Sequence, residues 1–215
     1  MGSAPSSVQI ADPSASWLIH ATYVNSAPIL REVSRELRTS RLLLRCPQEG
    51  DGAAVHEAVV ETLKQLRAWP ASLPWAMFEP SVAASETFCR ESAAAFIKRT
   101  ALVYLAFDES GSFVASTSLH AINWSVPKFE VGFWCRTRRQ HQGLTAEAAS
   151  ELVRYAFAGL GANRVDALPD ELNRPSRLVC EAAGMQLEGV MRNERVSPNG
   201  VLRNTCIYAA VRSEA

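Results

Sequence analysis

A predicted strand, a basic glycine-containing turn and an amphipathic helix follow one another directly between Phe133 and Ala148. The first amides of a helix have no partners within the helix, and the helix dipole adds positive potential at the same point. Arg138, Arg139 and His141 place further hydrogen-bond donors in the turn. This arrangement predicts a site for a phosphate or pyrophosphate group. A solvated basic turn would account for the same residues.

The turn differs from two common phosphate-binding loops. No Gly-Lys-Ser/Thr follows it, which excludes a Walker A loop, and the chain has no G-x-G-x-x-G, which excludes the Rossmann fingerprint. The sequence therefore indicates a phosphate site of another kind.

Composition excludes several classes of protein. The 22 Lys and Arg residues balance the 22 Asp and Glu residues, so nothing in the net charge favours binding to nucleic acid or to an anionic membrane. The longest apolar runs, such as 102–107, are far shorter than the roughly 18 residues of a membrane span. The five cysteines are widely spaced, and the four histidines show no metal-ligand spacing. We therefore expect a cytoplasmic protein without a metal site.

The 215 residues suggest one domain with an extension. Residues 1–34 are rich in Ser, Ala and Pro without a sustained period, which predicts a flexible N-terminal extension. Residues 35–215 read as a single domain. Its patterns predict a strand and two helices, then three mostly antiparallel strands, then a helix, a strand, a short helix and a closing hairpin.

Six ordered segments resemble one family. Gln140-His-Gln-Gly143-Leu-Thr145 resembles the Q/R-x-x-G-x-G/A pyrophosphate loop of the GNAT N-acetyltransferases, and the following Ala146-Glu147-Ala148 resembles the T-E-A of the RimJ/RimL-like branch. Thr145 replaces the usual Gly or Ala, and Ala146 replaces the usual Thr. The five other segments that resemble that branch are Leu37-Arg-Thr-Ser-Arg-Leu-Leu-Leu-Arg45, Leu73-Pro-Trp75, Phe129-Glu-Val-Gly-Phe-Trp134, Asn173-Arg-Pro-Ser176 and Ala183-Gly-Met-Gln-Leu-Glu-Gly189.

The resemblance implies an α/β (α+β) GNAT fold. Its central sheet is mixed, mostly antiparallel and twisted, with about seven strands, flanking helices and a splay between the fourth and fifth strands. The implied activity is acetyl transfer from acetyl-CoA to a primary amine by direct attack in a ternary complex. The acceptor would be a protein N-terminal α-amine or a small-molecule amine, and a homodimer is common in this branch. A non-catalytic acyl-CoA-sensing or protein-binding module on the same fold is the alternative.

The resemblance also implies which residues contact the cosubstrate. The pantetheine arm would pair with the exposed edge of the fourth strand, whose N–H groups would stabilise an oxyanion. The implied contacts are Phe133, Trp134, Cys135, Arg138, Arg139, Gln140, His141, Gln142, Gly143, Leu144, Thr145, Asn173 and Ser176.

Three residues are candidates for proton transfer. Glu130, near the start of the fourth strand, is the predicted general base, with Glu194 as the other candidate carboxylate. Ser176 is the candidate proton donor to the CoA sulfur. Pairing of Glu130 with an arginine, and an N-cap formed by Asn173 and Ser176, would explain these residues equally well without a catalytic role.

Other polar and aromatic residues have weaker roles in this interpretation. His120 and Asn123 would orient the amine through water, or they are loop polar groups. Trp69 and Trp75 would wall the acceptor cleft, or they pack in the core. No base neighbours Cys135 in sequence, which argues against an acyl-cysteine intermediate.

Overall fold

A computed structural model describes residues 27–212 of the chain. Residues 27–32, with a 3-10 turn over Pro28–Leu30, belong to one compact unit, and Val33 begins the other. Most of the predicted N-terminal extension, residues 1–26, lies outside the described residues. The flexible extension therefore stays a prediction.

The described part of the second unit contains eight strands and four α-helices. In chain order these are β1 Glu36–Arg38, β2 Leu42–Arg45, α1 Gly52–Leu66, α2 Val82–Lys98, β3 Leu102–Asp108, β4 Phe113–Asn123, β5 Lys128–Cys135, α3 Leu144–Ala158, β6 Arg164–Ala167, α4 Arg174–Ala182, β7 Gln186–Val196 and β8 Leu202–Val211. The predicted order of helices and strands is confirmed. The one addition is β1, whose three residues are too few to carry a recognisable alternation.

All eight strands form one open, mixed sheet in the order β1-β2-β3-β4-β5-β6-β8-β7. Neighbours are antiparallel except β5 and β6, which run parallel. The predicted mixed, mostly antiparallel sheet with flanking helices is therefore confirmed. The predicted fourth and fifth strands correspond to β5 and β6, because β1 shifts the numbering by one.

The sheet opens between β5 and β6. Their ladder has three pairs, from Lys128↔Arg164 to Glu130↔Asp166, whereas on its other side β5 pairs with β4 as far as Cys135. Among the described strands, residues 131–135 of β5 therefore have a sheet neighbour on one side and none on the β6 side. This is the predicted splay, and it leaves a strand edge unpaired inside the molecule.

Helices cover both faces of the sheet. The positions in α3 that recur every four residues, Leu144, Ala148, Leu152 and Ala156, are all buried against one face. Helix α1 packs on the other face, where its Val55 and Val59 join a cluster with Leu105 of β3. These two packings fix α3 at the end of β5 and α1 beside it.

Candidate active site

The β5–α3 loop, residues 136–143, brings backbone amides to the start of α3. His141 and Gly143 take the left-handed conformation, with φ of 59° and 74°, which turns the chain sharply into the helix. The first helical hydrogen bond runs from the amide of Glu147 to the carbonyl of Gly143. In residues 27–212, the amides of residues 141–143 donate no hydrogen bond. The amides of residues 144–146 come before the first helical hydrogen bond, so they have no acceptor within the helix either. The loop thus presents a group of free N–H donors at the positive end of a helix dipole.

The arginines of this loop are already paired with carboxylates. The Arg138 backbone N–H and Nε each lie 2.7 Å from a carboxylate oxygen of Glu61. Arg139 Nη2 lies 2.5 Å from Asp108 Oδ2. Of the three predicted basic donors, only His141 is exposed without such an ion pair among the described residues. The backbone amides are therefore the principal donors that the loop offers to an anion.

Glu61 of α1 fastens the start of the loop. Besides Arg138, it accepts a hydrogen bond of 2.6 Å from Nε of Arg136, whose side chain is almost fully buried. Next to it, Thr62 Oγ1 accepts the amide of Thr137 at 3.0 Å. Burial opposes ionisation of Glu61, but the hydrogen bonds from Arg138 and Arg136 outweigh it and hold the pKa of Glu61 below its usual range. The carboxylate is therefore the charged centre of this anchor.

The far end of the loop has a second anchor, between Arg41 and Glu147. Arg41 Nε donates to Glu147 Oε2 at 2.6 Å, and Arg41 Nη1 donates to the carbonyl of Gln142 at 3.0 Å. Thr39 Oγ1 donates to the same carboxylate at 2.5 Å. The far end of the segment that resembles the GNAT loop therefore contacts the opening strand segment, which joins two of the six motifs in space.

The Glu147 anchor makes stability depend on pH. Burial raises the pKa of Glu147, but the hydrogen bonds from Thr39 and Arg41 outweigh it, so its pKa lies below the ordinary 4.5. A carboxylate with a lowered pKa in the folded chain stabilises it above the unfolded value, and this contribution disappears as pH falls through the folded pKa. We expect Glu147→Gln to lower the free energy of unfolding by about 1–2 kcal/mol at neutral pH and by less near pH 3, below the ordinary pKa of 4.5.

Urea unfolding at both pH values measures this effect. The matched control is Glu109→Gln, which neutralises an exposed carboxylate in the β3–β4 turn. A destabilisation by Glu147→Gln that is equal at both pH values would show that shape, not charge, holds the loop.

A cavity of about 760 Å³ lies under α1 and α2 and reaches the splay. Its floor is one face of β4 and β5, where Ser116, Ser118 and His120 stand opposite Trp134, Gly132 and Glu130. Its splay end is lined by Phe133, Leu168 and Ser176, among others. A single cavity therefore connects the unpaired edge of β5 with the predicted base and the predicted proton donor.

Among the described ion pairs, Glu130 contacts a histidine and no arginine. Its Oε1 lies 3.3 Å from His120 Nε2, and the Glu130 side chain is 23% exposed. Ser118 Oγ lies 3.4 Å from the other ring nitrogen, Nδ1. The chain Ser118–His120–Glu130 thus runs along the cavity floor, in a position to receive a proton from a bound group.

The other candidate polar residues lie elsewhere. Glu194 accepts a hydrogen bond of 2.7 Å from Thr205 Oγ1 and does not line the cavity. The Asn123 side chain accepts the amides of Ser125 and Val126, so it shapes the β4–β5 turn. The geometry therefore favours Glu130 over Glu194, and His120 over Asn123.

The two tryptophans of the α1–α2 connection are separated by the fold. Trp75 lines the cavity, and its ring centroid lies 6.1 Å from that of Trp134. Trp69 faces away from this cavity and lies under the guanidinium of Arg203, 6.0 Å from its Cζ. Of the two tryptophans, only Trp75 therefore lines the cavity, and its role as the wall of an acceptor cleft stays a prediction.

Asn173 and Ser176 form a helix cap and also lie at the cavity. Asn173 Oδ1 accepts the amide of Ser176 at 3.2 Å and so caps α4. Both residues also line the cavity. In the described part of the chain the Ser176 hydroxyl has no hydrogen-bond partner, so it remains free to meet a ligand.

Cys135 is buried and holds its proton. Burial raises the pKa of its thiol, and a hydrogen bond with Thr145 offsets this only in part. Such a thiol is a poor nucleophile at neutral pH. Thr145, the departure from the family loop, therefore contacts a neighbouring side chain at the base of the helix.

The match to a family model agrees with this architecture. Residues 41–186, more than half of the chain, match the acetyltransferase (GNAT) domain. The chain belongs to this family, and the predicted GNAT fold and family are confirmed.

Relatives and solved structures carry related names. The chain is 31% identical over 104 residues to YdaF of Bacillus subtilis (strain 168), named a putative ribosomal N-acetyltransferase; the match covers 48% of this chain and 56% of that protein. The chain thus spans little more than half the length of this curated relative. The microcin C7 self immunity acetyltransferase MccE, solved with acetyl-CoA and AMP, superposes with a TM-score of 0.74 at 19% identity, covering 81% of this chain and 94% of MccE. RimL, a ribosomal L7/L12 alpha-N-protein acetyltransferase solved with coenzyme A, superposes with a TM-score of 0.71 at 22% identity, covering 80% of this chain and 95% of RimL.

Two further observations concern residues 27–212 alone. No helix there is long and apolar enough to cross a membrane. No group of three or more His, Cys, Asp or Glu side chains there is arranged to hold a metal ion.

Proposed function

We propose that this protein is an acetyl-CoA-dependent N-acetyltransferase that moves an acetyl group to a primary amine by direct transfer in a ternary complex. The observation that carries the proposal is the cavity that joins the unpaired edge of β5 to the Glu130–His120 pair and to Ser176. The names of YdaF, MccE and RimL support the same class of reaction. The buried, unpaired thiols of the five cysteines support a cytoplasmic location.

The residues present fit the cosubstrate that this reaction needs. The free amides at the start of α3 would bind the pyrophosphate, and the edge of β5 from Val131 to Cys135 would pair with the amide groups of the pantetheine arm. Asn173 and Ser176 line the same cavity beyond the splay. When bound, acetyl-CoA supplies the thioester whose acyl carbon the amine attacks.

Each step of the reaction has a candidate group. Glu130, next to His120, accepts the proton that the amine must lose to form the new C–N bond. An N–H of the unpaired β5 edge stabilises the negative oxygen that develops on the acyl carbon. The C–S bond then breaks, and Ser176 donates a proton to the leaving sulfur. Ser176 takes a proton back from solvent, and Glu130 releases the amine proton to solvent. The amine nitrogen thus gains the acetyl group, and coenzyme A leaves as the thiol.

Calorimetric titration with acetyl-CoA, followed by thiol release in the presence of primary amines, tests this function. We expect micromolar binding and amine-dependent release of coenzyme A. Tight binding without turnover on any amine would favour the acyl-CoA-sensing module instead. Absence of binding would contradict both functions.

A further inference from the structure

Among residues 27–212, the cavity has a single carboxylate that is free to meet a cationic amine. Three carboxylates line it, those of Glu79, Glu130 and Asp170. Glu79 pairs with Arg67 at 2.8 Å and is 87% exposed, so it lies in solvent at the mouth. The buried Asp170 holds the guanidinium of Arg203 through contacts of 2.7 and 2.8 Å. That leaves Glu130, which among the described residues contacts His120 and no Lys or Arg.

The described lining of the cavity also lacks a free Lys or Arg. Arg195 is the one such residue that lines it within the described chain. Its Nη1 donates to Ser72 Oγ and to the carbonyl of Leu168, each at 3.1 Å, and its Nε lies 3.1 Å from Glu194. This guanidinium ties the α1–α2 connection to the end of β6. A carboxylate or phosphate on an acceptor would therefore meet no uncommitted guanidinium or ammonium group from these residues.

The remaining walls are apolar and in part aromatic. Val59 and Leu63 of α1 and Phe88 of α2 line the side away from the splay, together with Trp75 and Phe78. Phe78 is 76% exposed, Trp75 42% and Phe88 37%. Exposed apolar side chains grouped at the mouth of a cavity are typical of a surface that a ligand covers.

From this distribution of charge we propose that the acceptor is a primary monoamine carried on an apolar, ring-sized body. The amine meets Glu130 on the floor, and the body packs between α1 and α2 against Phe88 and Trp75. The inference rests on the proposed acetyl transfer. A polyamine would bring a second cation with no carboxylate from the described residues to receive it, and burying an unpaired charge is costly. An amino acid or nucleotide would bring an unpaired anion.

A panel of three acceptors tests the inference by thiol release at saturating acetyl-CoA. The probes are 2-phenylethylamine, spermidine and a short peptide that begins with serine. We expect kcat/KM for 2-phenylethylamine to exceed both others at least tenfold. Preference for spermidine or for the peptide would overturn the inference and leave the acetyl transfer intact. Binding of acetyl-CoA without acetylation of any of the three would overturn it as well, and failure to bind acetyl-CoA would overturn the proposed function itself.

A pair of variants locates the apolar body. Phe88→Ala is expected to raise the KM for 2-phenylethylamine at least fivefold, a larger factor than for ethylamine, while the KM for acetyl-CoA stays unchanged. Ile97→Ala is the matched control, because Ile97 is an exposed apolar residue of the same helix that does not line the cavity. Equal KM values for 2-phenylethylamine in both variants would place the body elsewhere and overturn the assignment.

Discussion

Gly143→Trp is expected to weaken acetyl-CoA binding at least a hundredfold, about 2.7 kcal/mol, in calorimetric titration. Gly143 has a φ of 74° and directly precedes α3, so a side chain there stands beside the free amides of the loop. A Cβ at this position lies 3.6 Å from Nη2 of Arg41 and meets no other described atom within 4 Å outside its chain neighbours. The indole can therefore occupy the space that a phosphate needs. Each charge-assisted hydrogen bond lost would cost about 1.5–3 kcal/mol.

The same substitution at Gly161 is the control that distinguishes blocking of the phosphate site from the effect of backbone strain. Gly161 has a φ of 73°, so a tryptophan there carries a similar left-handed penalty of about 1–2 kcal/mol. It lies beyond the other end of α3, where a Cβ would meet no described atom within 4 Å. Gly161→Trp should therefore lower the melting temperature and leave the Kd for acetyl-CoA unchanged. If both variants bind like the wild type, the β5–α3 loop does not hold the phosphates.

Glu130→Gln is expected to lower kcat at least tenfold and up to roughly a hundredfold, with the Kd for acetyl-CoA unchanged. Glutamine keeps the shape of the side chain on the cavity floor but cannot accept the amine proton as a carboxylate does. Steady-state rates of thiol release and calorimetric titration measure the two quantities separately.

Glu194→Gln is the comparison variant for the base. Glu194 bonds Thr205 outside the cavity, so its loss should change kcat by less than about twofold. A large loss in Glu194→Gln with wild-type turnover in Glu130→Gln would reverse the assignment of the base. Wild-type rates in both variants would remove both carboxylates from the mechanism.

Local patterns in the sequence predict the elements that carry the site. Four apolar residues at intervals of four predict the buried face of α3, and all four are buried. The aromatic run at 128–135 predicts β5 with the observed bounds. Glycine before the helix predicts the sharp turn at Gly143, where φ is positive. These features depend on neighbours within a few residues, so a pattern in the sequence can encode them.

The partners of the loop arginines could not be predicted in this way. Glu61 lies 77 residues from Arg138 in the chain, and Arg41 lies 106 from Glu147. Such pairs depend on how α1 and the opening strand pack beside β5, and this packing cannot be predicted from the spacing of residues within a short segment. The same holds for the cavity walls, which come from elements far apart in the chain. Arg41 and Glu147 do lie inside the family-like segments, and that resemblance is the sequence signal for the second anchor.

The short ladder between β5 and β6 divides the sheet into two subassemblies, β1–β5 and β6–β8, which three residue pairs join within the described chain. A pantetheine arm in the gap would add hydrogen bonds along this seam. Ligand binding would then hold the two subassemblies together reversibly, and the free energy of unfolding would rise with the concentration of the ligand. The rate of amide hydrogen exchange in β5 and β6 would consequently fall as a larger fraction of the protein binds coenzyme A or its thioester.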